Sequence, residues 1–352
     1  MAYFVSQPHV GEAQEALVAL WEKNLRSSDR QRRYSWYYLH SPDGPGETFL
    51  LHHDGDGRSQ VIGCTGMAPR SFDYEGRSLR ALLSADFAVD DHHRTVMPAV
   101  MLQRAAREFA RSTSDFAYGF PNASAVGVFL RVGYRRLGTV GRYVKVLRHE
   151  AYLRRAGWGF GPAWLAGRFL DVATQARDYV RSRSDRRDLH LEWLSGFDER
   201  FDQLWEEGRS RHCIIGNRSC LWLHWRFCDQ WVAQPMIAAL VGRDTRSIRA
   251  YAVVSSREKG VARISDFFAT SSKGLSTLFR LLGGQLRRRN FRSIRVHFLG
   301  ARWVHDMLTA HGYVLRESER DRAVVVDLGT SVAPDVFVNL DNWYLTGADS
   351  DT

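Results

Sequence analysis

Two aspartates stand inside runs that otherwise read as buried strand. Asp86 sits in the run Ala81 to Val89, before Phe87-Ala88-Val89, and Asp266 precedes Phe267-Phe268 in the run Val261 to Thr270. A carboxylate in such a place can accept a proton in catalysis, because burial raises its pKa toward the working range. It can equally hold neighbouring backbone amides, a purely structural task. Two proton-donor candidates lie on later strand-like runs, Tyr118 in Phe116 to Phe120 and His297 in Ile294 to Leu299. Their plainer readings are aromatic packing and a satisfied surface histidine. Metal chemistry is not expected. Cys213, Cys220 and Cys228 follow spacings of seven and eight that match no common zinc pattern, and Cys64 is remote from them. His52-His53 with Asp54-Gly55-Asp56-Gly57 reads as a turn between strands.

The chemistry-bearing residues occur in two matching sets about 180 residues apart. Trp21-Glu22 recurs as Trp205-Glu206, Trp36-Tyr37-Tyr38 as Trp225-Arg226-Phe227, Asp86-Phe87 as Asp266-Phe267, and Gly133-Tyr134 as Gly312-Tyr313. All of these keep one order, which is the signature of a duplicated unit. The length of 352 residues fits two domains of ordinary size, and 44% apolar residues fit packed cores. We expect a first unit over 1–150, a helical connector over 151–186, a second unit over 187–330 and a tail, strand included, over 331–352.

Periodicity then places the elements. In the first unit a helical stripe of Ala13, Ala16, Leu17, Leu20 and Trp21 precedes strands Phe49 to His53, Gln60 to Met67 and Ala81 to Val89. A helix with Ala99, Leu102, Ala106 and Phe109 on one face follows, then strand Phe116 to Phe120, helix Ser124 to Val132, and strand Tyr143 to Leu147, which closes the unit. The second unit repeats the plan through strands Met236 to Val241, Arg249 to Ser255 and Val261 to Thr270, and ends on Ala323 to Leu328. Trp164 to Val180 is helical in period. In the tail, Phe337 to Leu340 alternates like a strand and Trp343-Tyr344-Leu345 continues apolar; the segment is expected to pack back on the body, with Gly347 to Thr352 mobile. The fold class is α/β: two units, each a twisted mixed sheet flanked by helices.

Net charge is +10, most of it from arginine, with clusters at Arg30 to Arg33, Arg181 to Arg187 and Arg287 to Arg289. Such clusters attract nucleic acid, an anionic membrane or a phosphorylated ligand, and cations at a helix carboxyl end already account for the last of them. No apolar run approaches the roughly 20 residues of a membrane span, and no signal-peptide block opens the chain, so a cytoplasmic protein is expected.

These residues resemble the GNAT superfamily of acyl-CoA-dependent N-acyltransferases. Its carboxyl-terminal motif has the form N-x-x-A-x-x-φ-Y-x-x-x-G-F, and Asn122, Ala125, Val128, Phe129, Gly133 and Tyr134 occupy those places. Asp86, Val89 and Arg94 reproduce the acidic residue of its fourth strand, the valine three positions on and the arginine five further. The resemblance implies an acetyl-CoA or other acyl-CoA co-substrate. It places the pyrophosphate at Arg94, Thr95, Val96, Met97, Pro98 and Ala99, where helix-start amides and the helix dipole favour an anion and proline suits the first turn. It lines the donor path with Phe87, Ala88, Val89, Asn122 and Phe129, and puts Asp86 at the splay where thioester and amine meet. Asn122 reads equally as a helix cap. Lys273 and Gly274 mark the matching loop of the second half, with Asp266 and His297 as its candidates.

The motifs are degenerate. Met97 stands at the first loop glycine, Ser271 replaces the arginine, and the family's frequent proton-donating tyrosine is Phe129 in one half and Leu308 in the other. The reading is an acyl-CoA-dependent N-acyltransferase acting on a small amine, such as an amino sugar or amino acid derivative. A non-catalytic ligand-binding protein and a Fem-type aminoacyl transferase using transfer RNA are the alternatives, nucleic acid being the weaker partner.

Overall fold

In the computed structural model the chain is described over residues 2–24, 29–55, 58–182, 188–229, 234–317 and 322–351. Asp56 and Gly57 of the expected turn, residues 183–187 of the arginine run and connector, and Thr352 of the tail lie outside the described residues. The strands are β1 (Ala2–Ser6), β2 (Glu47–Gly55), β3 (Arg58–Tyr74), β4 (Arg77–Val89), β5 (Phe116–Gly119), β6 (Arg135–Thr139), β7 (Gly141–Val146), β8 (Leu189–Leu194), β9 (Ile214–Gly216), β10 (Met236–Gly242), β11 (Ile248–Glu258), β12 (Val261–Ala269), β13 (Ser293–Gly300), β14 (Val314–Leu315), β15 (Ala323–Leu328) and β16 (Trp343–Thr346).

The α/β expectation holds, with helices flanking a large mixed sheet. Strands of both halves are hydrogen-bonded into one sheet, in the order β6-β15-β5-β4-β3-β9-β16-β13-β12-β11-β10-β8. One apolar core runs from Val10 to Ala348 across both halves, and a second lies under the helix Val96–Thr113. That helix buries Ala99, Leu102, Ala106 and Ala110 at spacings of three and four, as an amphipathic helix must.

Two strands do not stay with the residues that precede them. β7, expected to close the first unit, pairs with β13 and β14 of the second half. β15, expected to close the second, enters between β5 and β6 of the first. Asp327 on β15 is fastened there by Arg107 in two bonds of 2.8 and 2.9 Å, with Arg111 at 3.2 Å. Val140 alone separates β6 from β7, and its amide donates to the carbonyl of Arg322 beside β15. Where the halves meet, Trp36 and Trp225 stack at 4.9 Å, and each indole N–H donates to the other's backbone carbonyl, at 2.8 and 3.1 Å.

The tail packs back on the body as expected, with Phe337 and Trp343 to Leu345 buried, but its elements depart from expectation. Phe337 falls in a helix, Pro334–Val338, with proline in its first turn, and a 3₁₀ turn at Leu340–Asn342 follows. Asn339 caps that turn, accepting from the amide of Asp341, so the apparent strand alternation there has no sheet edge to serve. The strand comes later, as β16, which pairs antiparallel with Phe298–Gly300 of β13 and parallel with β9. Gly347–Asp349, expected to be mobile, form a turn closed by a capping box between Thr346 and Asp349, with Ala348 and Asp349 buried.

Close approach of β16 depends on Gly300, whose φ is +138° and whose added Cβ would lie 1.8 Å from the carbonyl oxygen of Trp343. Gly300→Ala is therefore expected to cost about 2–3 kcal/mol, from overpacking and an unfavourable backbone. Chemical denaturation checks this together with hydrogen exchange at Trp343–Thr346, which must speed up; a neutral variant would contradict it.

Candidate functional site

The approach to Asp86 begins with a change of register. β3 and β4 pair as Gly63↔Val89 and Cys64↔Ala88, then as Gly66↔Ala85, so Thr65 faces two residues, Asp86 and Phe87. Asp86 takes up the bulge with φ +52°, a conformation tolerated better by aspartate than by most residues. Its buried carboxylate is met from the helix Arg30–Tyr34 and the π-helical turn Ser35–Leu39 that follows. Arg33 Nη2 donates to Oδ1 at 2.9 Å, and Tyr38 Oη donates to Oδ2 at 2.9 Å. Tyr38 reaches it because Gly66 has no side chain: a Cβ there would lie 2.0 Å from the Tyr38 hydroxyl.

Buried cations and phenols surround this pair. Burial works against the charge of Arg33, yet Asp86, Tyr37, Asp351 and Tyr38 hold it protonated. Burial and Asp86 push the Tyr38 phenol well above its ordinary 10. Burial pushes Tyr37 up to about 12 against the pull of Arg70, whose guanidinium lies 4.9 Å from the Tyr37 ring and 5.0 Å from that of Trp225. Sequence reasoning missed Arg33, Tyr38 and Arg70. The sequence-level hint was the aromatic triplet Trp36-Tyr37-Tyr38 close after the arginine cluster.

The expected donor path lies where β4 and β5 part. The two pair in parallel only from Ala81↔Phe116 to Ser84↔Gly119, and β4 continues to Val89. Ala88 and Val89 are buried, and the Phe87 ring meets Phe129 edge-on at 6.0 Å. Beyond Val89, Arg94 Nε donates to the Val89 carbonyl at 2.9 Å, and its guanidinium pairs with Asp91. Thr95 begins the helix in extended conformation with no side-chain cap, followed by exposed Val96 and Met97, then buried Pro98 and Ala99. The amides of Val96 and Met97 have no intrahelical carbonyl to reach. Asn122 is exposed, and its Oδ1 accepts from the Ser124 hydroxyl at 2.8 Å and the Ala125 amide at 3.0 Å, a helix-entry turn.

Tyr118, on β5, donates to the carbonyl of Asp349 at 3.2 Å, and burial keeps its phenol well above 10. Arg33 donates to the carbonyl of Asp351 at 3.0 Å. The tail therefore links the proton-donor candidate to the residue that holds Asp86. Arg226 anchors the same segment, donating to the carbonyls of Ala348 and Ser350 at 2.9 and 3.1 Å.

The matching place in the second half is filled. β12 and β13 pair in parallel only from Val261↔Ser293 to Ile264↔Val296, and β16 takes the edge of β13 that β12 leaves. Asp266 is fully buried and accepts from Tyr251 at 2.5 Å, Thr346 at 2.6 Å and Arg218, which also donates to Asp349 at 2.7 Å. Ser271 caps the helix Ser272–Arg288 by accepting from the Gly274 amide at 3.1 Å, leaving Lys273 exposed in its first turn.

Burial, with Arg263, Arg295 and Arg142 nearby, brings His297 down to about 4. Burial, then Arg218 and Arg211, does the same to His212, which packs 4.4 Å from the Tyr344 ring. Both imidazoles are neutral when folded, whereas the unfolded chain takes up protons near pH 6.5. A folded pKa below the unfolded one means stability is full above about pH 6.5 and falls as pH drops toward 4, by up to about 1.4 kcal/mol per pH unit per histidine. Urea midpoints across that window check this; His212→Gln should remove part of the slope, and an unchanged slope would count against it.

No protein-family model matches the chain, and no curated protein matches it. Solved structures do. A probable N-acyltransferase from Enterococcus faecalis V583 superposes over 93% of this chain and 72% of its own, at TM-score 0.65 and 12% identity. A GCN5-related N-acetyltransferase from Anabaena variabilis ATCC 29413 does so over 93% and 73%, at 0.63 and 11%. Saccharomyces cerevisiae N-myristoyltransferase with bound myristoyl-CoA covers all of this chain and 84% of its own, at 0.53 and 10%. At such identities the likeness is one of fold: the chain has the GNAT-like acyltransferase fold.

Proposed function

We propose that the protein is an acyl-CoA-dependent N-acyltransferase that works at the splay of β4 and β5. The observation that carries this reading is the contrast between the halves. In the second, β16 lies along the vacated strand edge, fully buried Asp266 already accepts from three side chains and Ser271 caps the helix; in the first, Thr95 gives the helix start at Val96 and Met97 no side-chain cap and β4 runs past the end of its pairing. The reciprocal Trp36–Trp225 pair supports a duplicated unit with one half retained for chemistry. Free thiols and a coenzyme A requirement fit the cytoplasm.

In this proposal the Val96 and Met97 amides and Arg94 hold the pyrophosphate, the acyl arm runs past Phe87, Ala88, Val89, Asn122 and Phe129, and Asp86 faces the amine. A carboxylate has about four acceptor sites, so Asp86 can meet Arg33, Tyr38 and an ammonium group together. Asp86 takes one ammonium proton, the freed lone pair attacks the thioester carbonyl, a C–N bond forms, the C–S bond breaks, and the thiolate is protonated by an acid that regains its proton from the nitrogen as the amide forms. Tyr118 stays protonated through ordinary pH and is our donor for that last step. A binding protein without turnover is the second reading, favoured by Phe129 in place of a hydroxyl.

Acyl-CoAs of increasing chain length are expected to raise the melting temperature, since ligand binds only the folded chain. Arg94→Ala should weaken that binding about ten- to hundredfold by removing a charge-assisted bond to phosphate. Gly274→Trp should leave it intact. The reverse pattern would place the site in the second half; binding without turnover for any amine would leave the second reading.

A further inference from the structure

The helical hairpin that follows β7 carries an apolar face that the acyl-transfer reading does not use. It consists of the helix Glu150–Arg155, a turn with Trp158 between Gly157 and Gly159, and the helix Phe160–Ser182. Its inner side is built to fit. Ala163 and Gly167 are buried, and a Cβ on Gly167 would lie 2.7 Å from the Glu150 amide nitrogen, so glycine lets the two helices cross. One turn on, Asp171 accepts from the His149 amide at 3.0 Å and pairs with its ring at 2.6 Å. The longer helix also packs on Ser272–Arg288.

Positions 163, 167 and 171 point inward at spacings of four, so the opposite face must look out. There Leu165, Phe169 and Val172 are 65%, 75% and 63% exposed, flanked by Trp158, Phe160 and Trp164 at 50%, 67% and 41%. Folded monomers rarely leave so contiguous an apolar surface bare. Arginines border it: Arg154 lies 5.3 Å over the Phe160 ring and Arg168 5.2 Å over Trp164. From Glu150 to Arg187 the sequence has eight arginines and no lysine against four carboxylates, one of them Asp171, already paired.

We propose that this hairpin docks the protein on an anionic lipid bilayer surface. Aromatic and leucine side chains on one face with arginine at its margin are the composition of a helix lying in the membrane interface, where arginine stems stay in apolar surroundings and their heads reach phosphate. The surface potential of an anionic leaflet attracts the same arginines. A second copy of the chain fits less well, because a two-fold contact sets each arginine margin against its own kind. The hairpin lies on the bilayer rather than through it: among the described residues no helix is long and apolar enough to cross a membrane.

The full chain is sedimented with vesicles of phosphatidylcholine plus phosphatidylglycerol, and with vesicles of phosphatidylcholine alone, at low and high salt. It should pellet with the anionic vesicles, scarcely with the neutral ones, and be partly released by salt, which screens the arginines. Leu165→Glu combined with Phe169→Glu should weaken binding about tenfold or more without lowering the melting temperature, because both side chains are exposed. Failure to pellet with anionic vesicles overturns the proposal, as does undiminished binding by the double variant. A dimer that the double variant dissociates, with no vesicle binding, would assign the face to a second copy instead.

Discussion

Asp86→Asn is expected to lower turnover by about 10²- to 10⁴-fold, the usual worth of a positioned acid–base group, with acyl-CoA affinity unchanged. The change keeps the shape and an acceptor for the Tyr38 hydroxyl but removes the charge. It also leaves Arg33 without its carboxylate, and Arg33 is only 15% exposed, so stability must fall too. The two effects separate in a second variant. Asp86→Asn with Arg33→Met restores a neutral pair, so the melting temperature should recover much of its loss while turnover stays low. Turnover that returned with stability would make Asp86 a structural group, and turnover within about threefold of the parent in the single variant would remove it from the chemistry altogether.

The second large effect concerns stability. Arg218→Met should cost about 3–5 kcal/mol, because it strands two buried carboxylates, Asp266 and Asp349, that Arg218 now serves together. Burial opposes the charge on Arg218, and these two carboxylates more than offset it, which holds the guanidinium protonated. Burial already pushes the Asp266 carboxyl up against the pull of Arg218, and without Arg218 it titrates further above its unfolded value. The destabilising effect of that buried charge is then present at neutral pH and lost as pH falls through the carboxylate range, so the deficit against the parent must narrow on acidification. Hydrogen exchange at Trp343–Thr346 should quicken, since Thr346 shares both carboxylates. A deficit below about 1 kcal/mol, or one that does not change with pH, would show that the triad does not hold the tail.

The two buried aspartates differ in their surroundings. Asp86 and Asp266 each precede a phenylalanine on a strand, and each is held by an arginine and a tyrosine. The difference is what else arrives. At Asp266 the tail supplies Thr346, and burial is complete; at Asp86 the tail meets Arg33, through the Asp351 carbonyl.

By itself the sequence determined what local pattern can determine. Apolar alternation placed the strands that carry Asp86 and Asp266, and three-and-four spacing placed the helices after them. These depend on neighbours within a few residues, which a chain carries with it wherever it folds. The tertiary structure decided everything that depends on which edges and cavities are left once the sheet is assembled. Arg33 and Tyr38 come to Asp86 from 53 and 48 residues away, and Arg218 comes to Asp349 from 131. β7 and β15 read correctly as strands, but a strand's own sequence says little about which open edge will receive it. Phe337 to Leu340 alternated without becoming a strand, because the free edge of β13 was taken a few residues later by Trp343–Thr346, where Gly300 leaves room for a second backbone.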